Sequence, residues 1–105
     1  MVIFPARNEP DYRFRLALEG VPYRFRKIWN ARAGHWVLDI YTDAREAIVL
    51  GIKLVVDYPL LSIYGDTRLP PGELLALDPR GNRVARPGRS DFTSGAVLLA
   101  YLPSQ

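Results

Sequence analysis

Apolar and charged residues alternate along the early part of the chain. Tyr12, Phe14, Leu16 and Leu18 form one apolar series, broken by Arg13, Arg15 and Ala17; Val21, Tyr23, Phe25 and Trp29 form a second, broken by Arg24 and Arg26, with Lys27 standing in an apolar slot. A period of two belongs to a strand that buries one face. The two series have opposite parity and are joined by Glu19-Gly20, a pair suited to a tight hairpin turn. Such a turn sets Leu18 against Val21, Leu16 against Tyr23 and Phe14 against Phe25, so one face is apolar throughout. A slip of one residue would set phenylalanine against arginine. The repeated tetrapeptide Tyr-Arg-Phe-Arg, at positions 12–15 and 23–26, is therefore read as two facing strands.

The same reading places strands at residues 2–4, 12–18, 21–29, 35–41, 47–56, 74–77 and 97–102, each a short alternating, β-branched or aromatic run between turn residues. No segment carries sustained helical spacing with caps, apart from room for one helical turn near Leu60 to Ile63. The fold class expected is all-β: a small antiparallel β-barrel or β-sandwich, one domain over residues 1–105, with two longer loops at 57–73 and 83–95. Shorter reversals are expected at 30–34 and 78–82. Gly51 interrupts an otherwise apolar strand and predicts a bulge or bend that lets one strand serve two sides of the fold. The final run, apolar on both alternating faces, needs cover on both, from the core on one side and from a loop or a partner on the other.

The hairpin register has an electrostatic consequence. It stacks Arg13 opposite Arg26 and Arg15 opposite Arg24, and like charges directly opposite one another are destabilising unless an anionic group lies nearby. If the strand at 35–41 pairs so that Trp36 faces Trp29, Asp39 falls opposite Arg26 and answers it. Asp11, Glu19 and Asp43 stand near strand ends and can reach around. Arg13, Arg15 and Arg24 are left with two readings, a solvated face of snorkelling side chains or a docking face for an acidic protein or a phosphate backbone. A base-stacking platform is disfavoured, because alternation puts the aromatic rings and the arginines on opposite faces.

Composition narrows the chemistry. The 105 residues carry 14 Lys and Arg against 11 Asp and Glu, a net charge of +3, and Lys27 and Lys53 are the only lysines. This mild excess assists approach to an anionic partner without holding one by itself, and the arginine bias favours bidentate contacts to carboxylate or phosphate. There is no cysteine, so thiolate metal sites, cysteine nucleophiles and disulfides are excluded. His35 is the single histidine, and its position suits a strand end. Asp39, Asp43, Asp57, Asp66, Asp78 and Asp91 are scattered without metal-ligand spacing, and no phosphate loop, nucleophile elbow or zinc-protease motif occurs. No enzyme, cofactor or metal is expected. The N-terminus lacks a signal-peptide pattern, and the longest nearly apolar stretch, 47–56, is too short to span a bilayer and holds Lys53, so a soluble protein without a membrane partner is expected.

Four segments in order, WNARAGHWVLDIY, GIKLVVDYPLL, LPPGELLALD and RPGRSDFTSGAVLLAYL, resemble the cyanophage-type baseplate plug proteins of contractile-tailed phages. The likeness rests on Trp29, Asn30, Arg32, Ala33, Gly34 and Trp36 in a hairpin, on Gly51 before an apolar strand, and on the turns at Pro59-Leu60-Leu61 and Pro70-Pro71-Gly72. It departs at Ser90 to Gly95, where the family pattern carries paired aspartates. The resemblance implies a non-enzymatic virion component, made in the host cytoplasm, that plugs or organises the lower end of the tail tube with hub and spike proteins. It also implies a homo-oligomer, with a trimer as the expectation. Candidate partner-binding residues are Arg13, Arg15 and Arg24 on the arginine face, Tyr58, Leu60 and Leu61 in the first long loop, and Val97, Leu99 and Tyr101 in the last strand. The alternative reading is a small β-barrel nucleic-acid-binding module using the arginine-rich hairpin face.

Overall fold

A computed structural model describes residues 1–81 and 86–104. The elements are β1 (Val2–Ile3), β2 (Asp11–Leu18), β3 (Val21–Asn30), β4 (His35–Thr42), β5 (Ala47–Lys53), β6 (Glu73–Leu77), α1 (Asp91–Ser94) and β7 (Leu98–Leu102). They form a four-stranded sheet in the order β2-β3-β4-β5 and a three-stranded sheet in the order β1-β7-β6. Both are antiparallel throughout. Of the two architectures expected, the sandwich is the one adopted: the sheets remain separate rather than closing into a barrel.

The hairpin has the register that its alternation requires, pairing Leu18 with Val21, Leu16 with Tyr23 and Phe14 with Phe25. The next ladder pairs Trp29 with Trp36 and Arg26 with Asp39. Inward side chains of both sheets meet in one cluster that includes Phe25, Trp36, Leu38 and Ile40 from the larger sheet and Leu74, Ala76, Leu99 and Tyr101 from the smaller. Phe4, just beyond β1, stands edge-on to Phe14 and Phe25 at 5.6 and 4.8 Å, while those two rings stack at 5.3 Å. Each buried aromatic contributes about 1.5–3 kcal/mol by its removal from water. A shift of register would forfeit several at once.

The chain between β4 and β6 links the two sheets, and Gly51 sets the bend. Its φ of 80° is a left-handed conformation that side chains other than glycine resist. The β4–β5 ladder gains an extra residue there, with Leu38 opposite Ile52 but Ile40 opposite Val49. The strand ends at Lys53 rather than at Val56. Leu54 N–H still donates to the Trp36 carbonyl at 3.0 Å, and Val56 then bridges Ala76 in the other sheet.

Two other details differ from the sequence reading. A single helical turn, α1, lies in the second long loop; it buries Phe92 and is closed by Gly95 in the left-handed region at φ 82°. The expected turn near Leu60 is a hydrogen-bonded reversal in which Tyr64 N–H donates to the Leu61 carbonyl at 3.1 Å. Of the loop expected at 83–95, residues 83–85 lie outside the described residues, as does Asn82 of the preceding turn.

A polar latch ties the first hairpin to the C-terminus. Tyr101 Oη donates to the Glu19 carboxylate and accepts the Gly72 N–H at 2.6 Å, and Ser104 Oγ donates to Glu19 at 2.8 Å. Burial, with the Glu19 hydrogen bond second, pushes the Tyr101 phenol up to about 12. A Cβ at position 72 would collide with the Leu102 carbonyl and the Tyr101 ring. The Pro-Pro-Gly turn therefore needs its glycine for close approach.

Candidate functional site

The outer face of the larger sheet carries the site. Alternation along β2 and β3 sends Arg13, Arg15 and Arg24 away from the core, and the β4–β5 turn adds Arg45, held at a positive φ of 69°. With Tyr41 of β4 and parts of Phe14 and Phe25, these four arginines line a hollow of ≈ 470 Å³.

One carboxylate enters this group. Arg15 grips Asp43 in a two-pronged contact, Nε at 2.7 Å and Nη2 at 3.2 Å. Arg24 Nε lies 3.4 Å from the same carboxylate and donates to the Asp43 carbonyl at 3.1 Å. The Arg15 hydrogen bond holds the Asp43 carboxyl below its ordinary range. Among the described residues, Arg13 and Arg45 have no ion pair within 4.0 Å. Among the described residues only two of the four guanidinium groups thus share a carboxylate, and their planar forks present donors matched to carboxylate or phosphate oxygens.

Arg26 differs from the expectation. Asp39 does stand opposite it, but Arg26 binds Asp11 through Nε at 2.9 Å and Nη2 at 2.5 Å. Asp39, only 8% exposed, instead accepts a hydrogen bond from Gly51 N–H at 2.8 Å. The bulge in β5 leaves that N–H without a ladder partner, and a buried carboxylate beside an unpaired donor gains more by satisfying it than by reaching toward a solvated arginine.

The apolar candidates divide differently. Leu60 and Leu61 are buried, as are Val97, Leu99 and Tyr101, all within the chain's own core. Leu99 and Tyr101 lie on β7, the central strand of its sheet, and Val97 directly precedes it; all three side chains pack into the core cluster shared with the larger sheet. Tyr58 alone of these six side chains faces solvent, 55% exposed, near Ile63 at 65% and the exposed Tyr64. The structure therefore brings Arg13, Arg15 and Arg24 together and leaves Tyr58 in a separate exposed loop.

Two residues are not among the site candidates named from the sequence. Arg45 lay in an unremarked turn, and nothing in its spacing pointed to the hollow. Lys27 had a signal, because the alternation of β3 puts it on the inward face between Phe25 and Trp29. It is 1% exposed, with Nζ 3.2 Å from the Phe92 ring centroid, 4.8 Å from Trp36 and 5.7 Å from Tyr12. Burial lowers its ammonium pKa to about 7, while the aromatic faces favour the cation. Trp36 is fixed by its indole N–H, which donates to the Gly88 carbonyl at 3.0 Å, and Arg89 lies over the same ring at 5.3 Å. His35 ends up at a strand terminus, its Nδ1 buried and unpartnered among the described residues.

No curated protein matches the chain. A family model described as "Cyanophage baseplate Pam3 plug gp18" matches residues 1–104, a span that takes in both sheets, the arginine hollow and the lysine cage. The chain is therefore a member of the cyanophage baseplate Pam3 plug gp18 family.

Proposed function

We propose that this baseplate plug component closes or organises the lower end of the tail tube together with hub and spike proteins, and that it joins them as a passive structural part. The family match along residues 1–104 carries the reading. The hollow adds a physical means of attachment, since guanidinium groups in excess over carboxylates favour an acidic surface on a neighbour. Tyr58, Ile63 and Tyr64 supply an apolar contact in a separate loop. Mixed polar and apolar patches are ordinary at non-obligate interfaces.

Deletion of the gene from its phage tests this role. Particles lacking the protein should show tails without density at the lower tube end, and they should lose infectivity. Normal baseplates and normal infectivity in the deletion phage would overturn the proposal. Sedimentation of the isolated protein tests the accompanying expectation of a trimer.

A further inference from the structure

The strand that carries Arg13 and Arg15 is also an edge. β2 pairs with β3 on one side and with no described strand on the other, which leaves eight residues of main chain with an open flank. Natural sheets usually protect such an edge with proline, a bulge, charged side chains or a covering segment, and of these β2 has the charges, Arg13 and Arg15. β2 contains no proline, its register against β3 is continuous from Asp11 to Leu18, and no other main-chain hydrogen bond from a described residue reaches it within that span.

Both faces of this edge are incomplete in complementary ways. On the outer face Arg13 lacks an ion pair among the described residues and Arg15 shares Asp43 with Arg24. On the inner face Tyr12 and Leu18 are buried, whereas Phe14 and Leu16 between them are only half-buried. The positive charge is also local, because Arg26, farther along the same face, is neutralised by Asp11. A long polyanion would meet a short basic footprint. A few carboxylates would fit it.

We propose that β2 receives an added strand from a neighbouring protein, one in which acidic and apolar residues alternate. Its main chain would complete the open ladder. Acidic side chains at every second position, about 6.6 Å apart, would face Arg13 and Arg15 in the hollow, and the intervening apolar side chains would extend the core over Phe14 and Leu16. This inference rests on the hollow being an assembly surface. It does not depend on where in the baseplate the protein sits.

The test uses the intact protein and a labelled, end-blocked peptide of alternating glutamate and valine, followed by fluorescence anisotropy. The peptide should bind, and replacing its central valine by proline or its glutamates by lysine should each weaken binding by about tenfold or more. Arg13→Gln should weaken binding about fivefold, with an unchanged far-ultraviolet circular dichroism spectrum. Amide exchange along β2 should slow in the complex, a readout that does not depend on any variant. No binding up to about millimolar peptide, equal binding of the proline peptide, or tighter binding of an oligothymidine than of the acidic peptide would each overturn the proposal. Because the gene deletion reports on the tube-end role and the peptide on the edge, either can fail without the other.

Discussion

Asp39 and Gly51 are joined across the β4–β5 ladder by a 2.8 Å hydrogen bond from the glycine N–H to the carboxylate. The pair makes the bulge in β5 tolerable, because a hydrogen bond from this exposed main-chain donor to a charged acceptor contributes about 1.5–3 kcal/mol. Asp39→Ala should therefore destabilise the fold by about that amount, and Asp39→Asn by less, since the amide oxygen still accepts. Urea unfolding measures both, and equal losses for the two variants would separate the effect from this hydrogen bond.

Lys27 makes stability depend on pH. Its folded pKa of about 7 lies below the ordinary lysine value of 10.5, so between these values the unfolded chain binds the proton more strongly and stability rises with pH. The penalty is fully present below about pH 7. The unfolding free energy should climb by up to about 1.4 kcal/mol per pH unit from about pH 7 to about pH 9. Lys27→Met, similar in shape and uncharged, should flatten that slope and stabilise the protein most at the acid end. Urea midpoints across this range provide the check.

The latch around Tyr101 predicts two further losses. Tyr101→Phe removes a hydroxyl that serves Glu19 and the Gly72 N–H together, and should cost about 1–3 kcal/mol. Gly72→Ala forces a methyl group against the Leu102 carbonyl and should cost about as much or more. In both variants amide exchange should accelerate first in β7 and at the Glu19-Gly20 turn.

Asp43 competes with any incoming acid for Arg15 and Arg24. Asp43→Asn should therefore tighten binding of the acidic peptide and steepen its dependence on salt, whereas Arg45→Gln should weaken it. Titrations at low salt and at about 0.15 M, where screening reaches about 8 Å, resolve the two. Unchanged affinity in Asp43→Asn would mean that the peptide binds elsewhere.

What could be read from the residues follows the range of the forces involved. The hairpin was legible because its period-two pattern and its turn are local, and because Phe14 and Phe25 penalise every other register. The Gly51 bulge was legible for the same reason. The partner of Asp39 was not. Register fixes which residues stand opposite, but the direction a carboxylate turns depends on which nearby donor has lost its partner, here one created by the bulge itself. The burial of Val97, Leu99 and Tyr101 depends on the smaller sheet packing on the larger one, a contact between distant parts of the chain. Arg45 reaches the hollow from a turn position in the left-handed region, a conformation that alternation does not report.

The open flank of β2 also discriminates between kinds of neighbour. Two copies meeting flank to flank would bring Arg13 and Arg15 of one against the same arginines of the other, with a single Asp43 on each side to screen them. Repulsion of that kind disfavours fusion of two plugs through this sheet. Any self-association would then use a different surface, leaving the β2 margin to the oppositely charged strand proposed above.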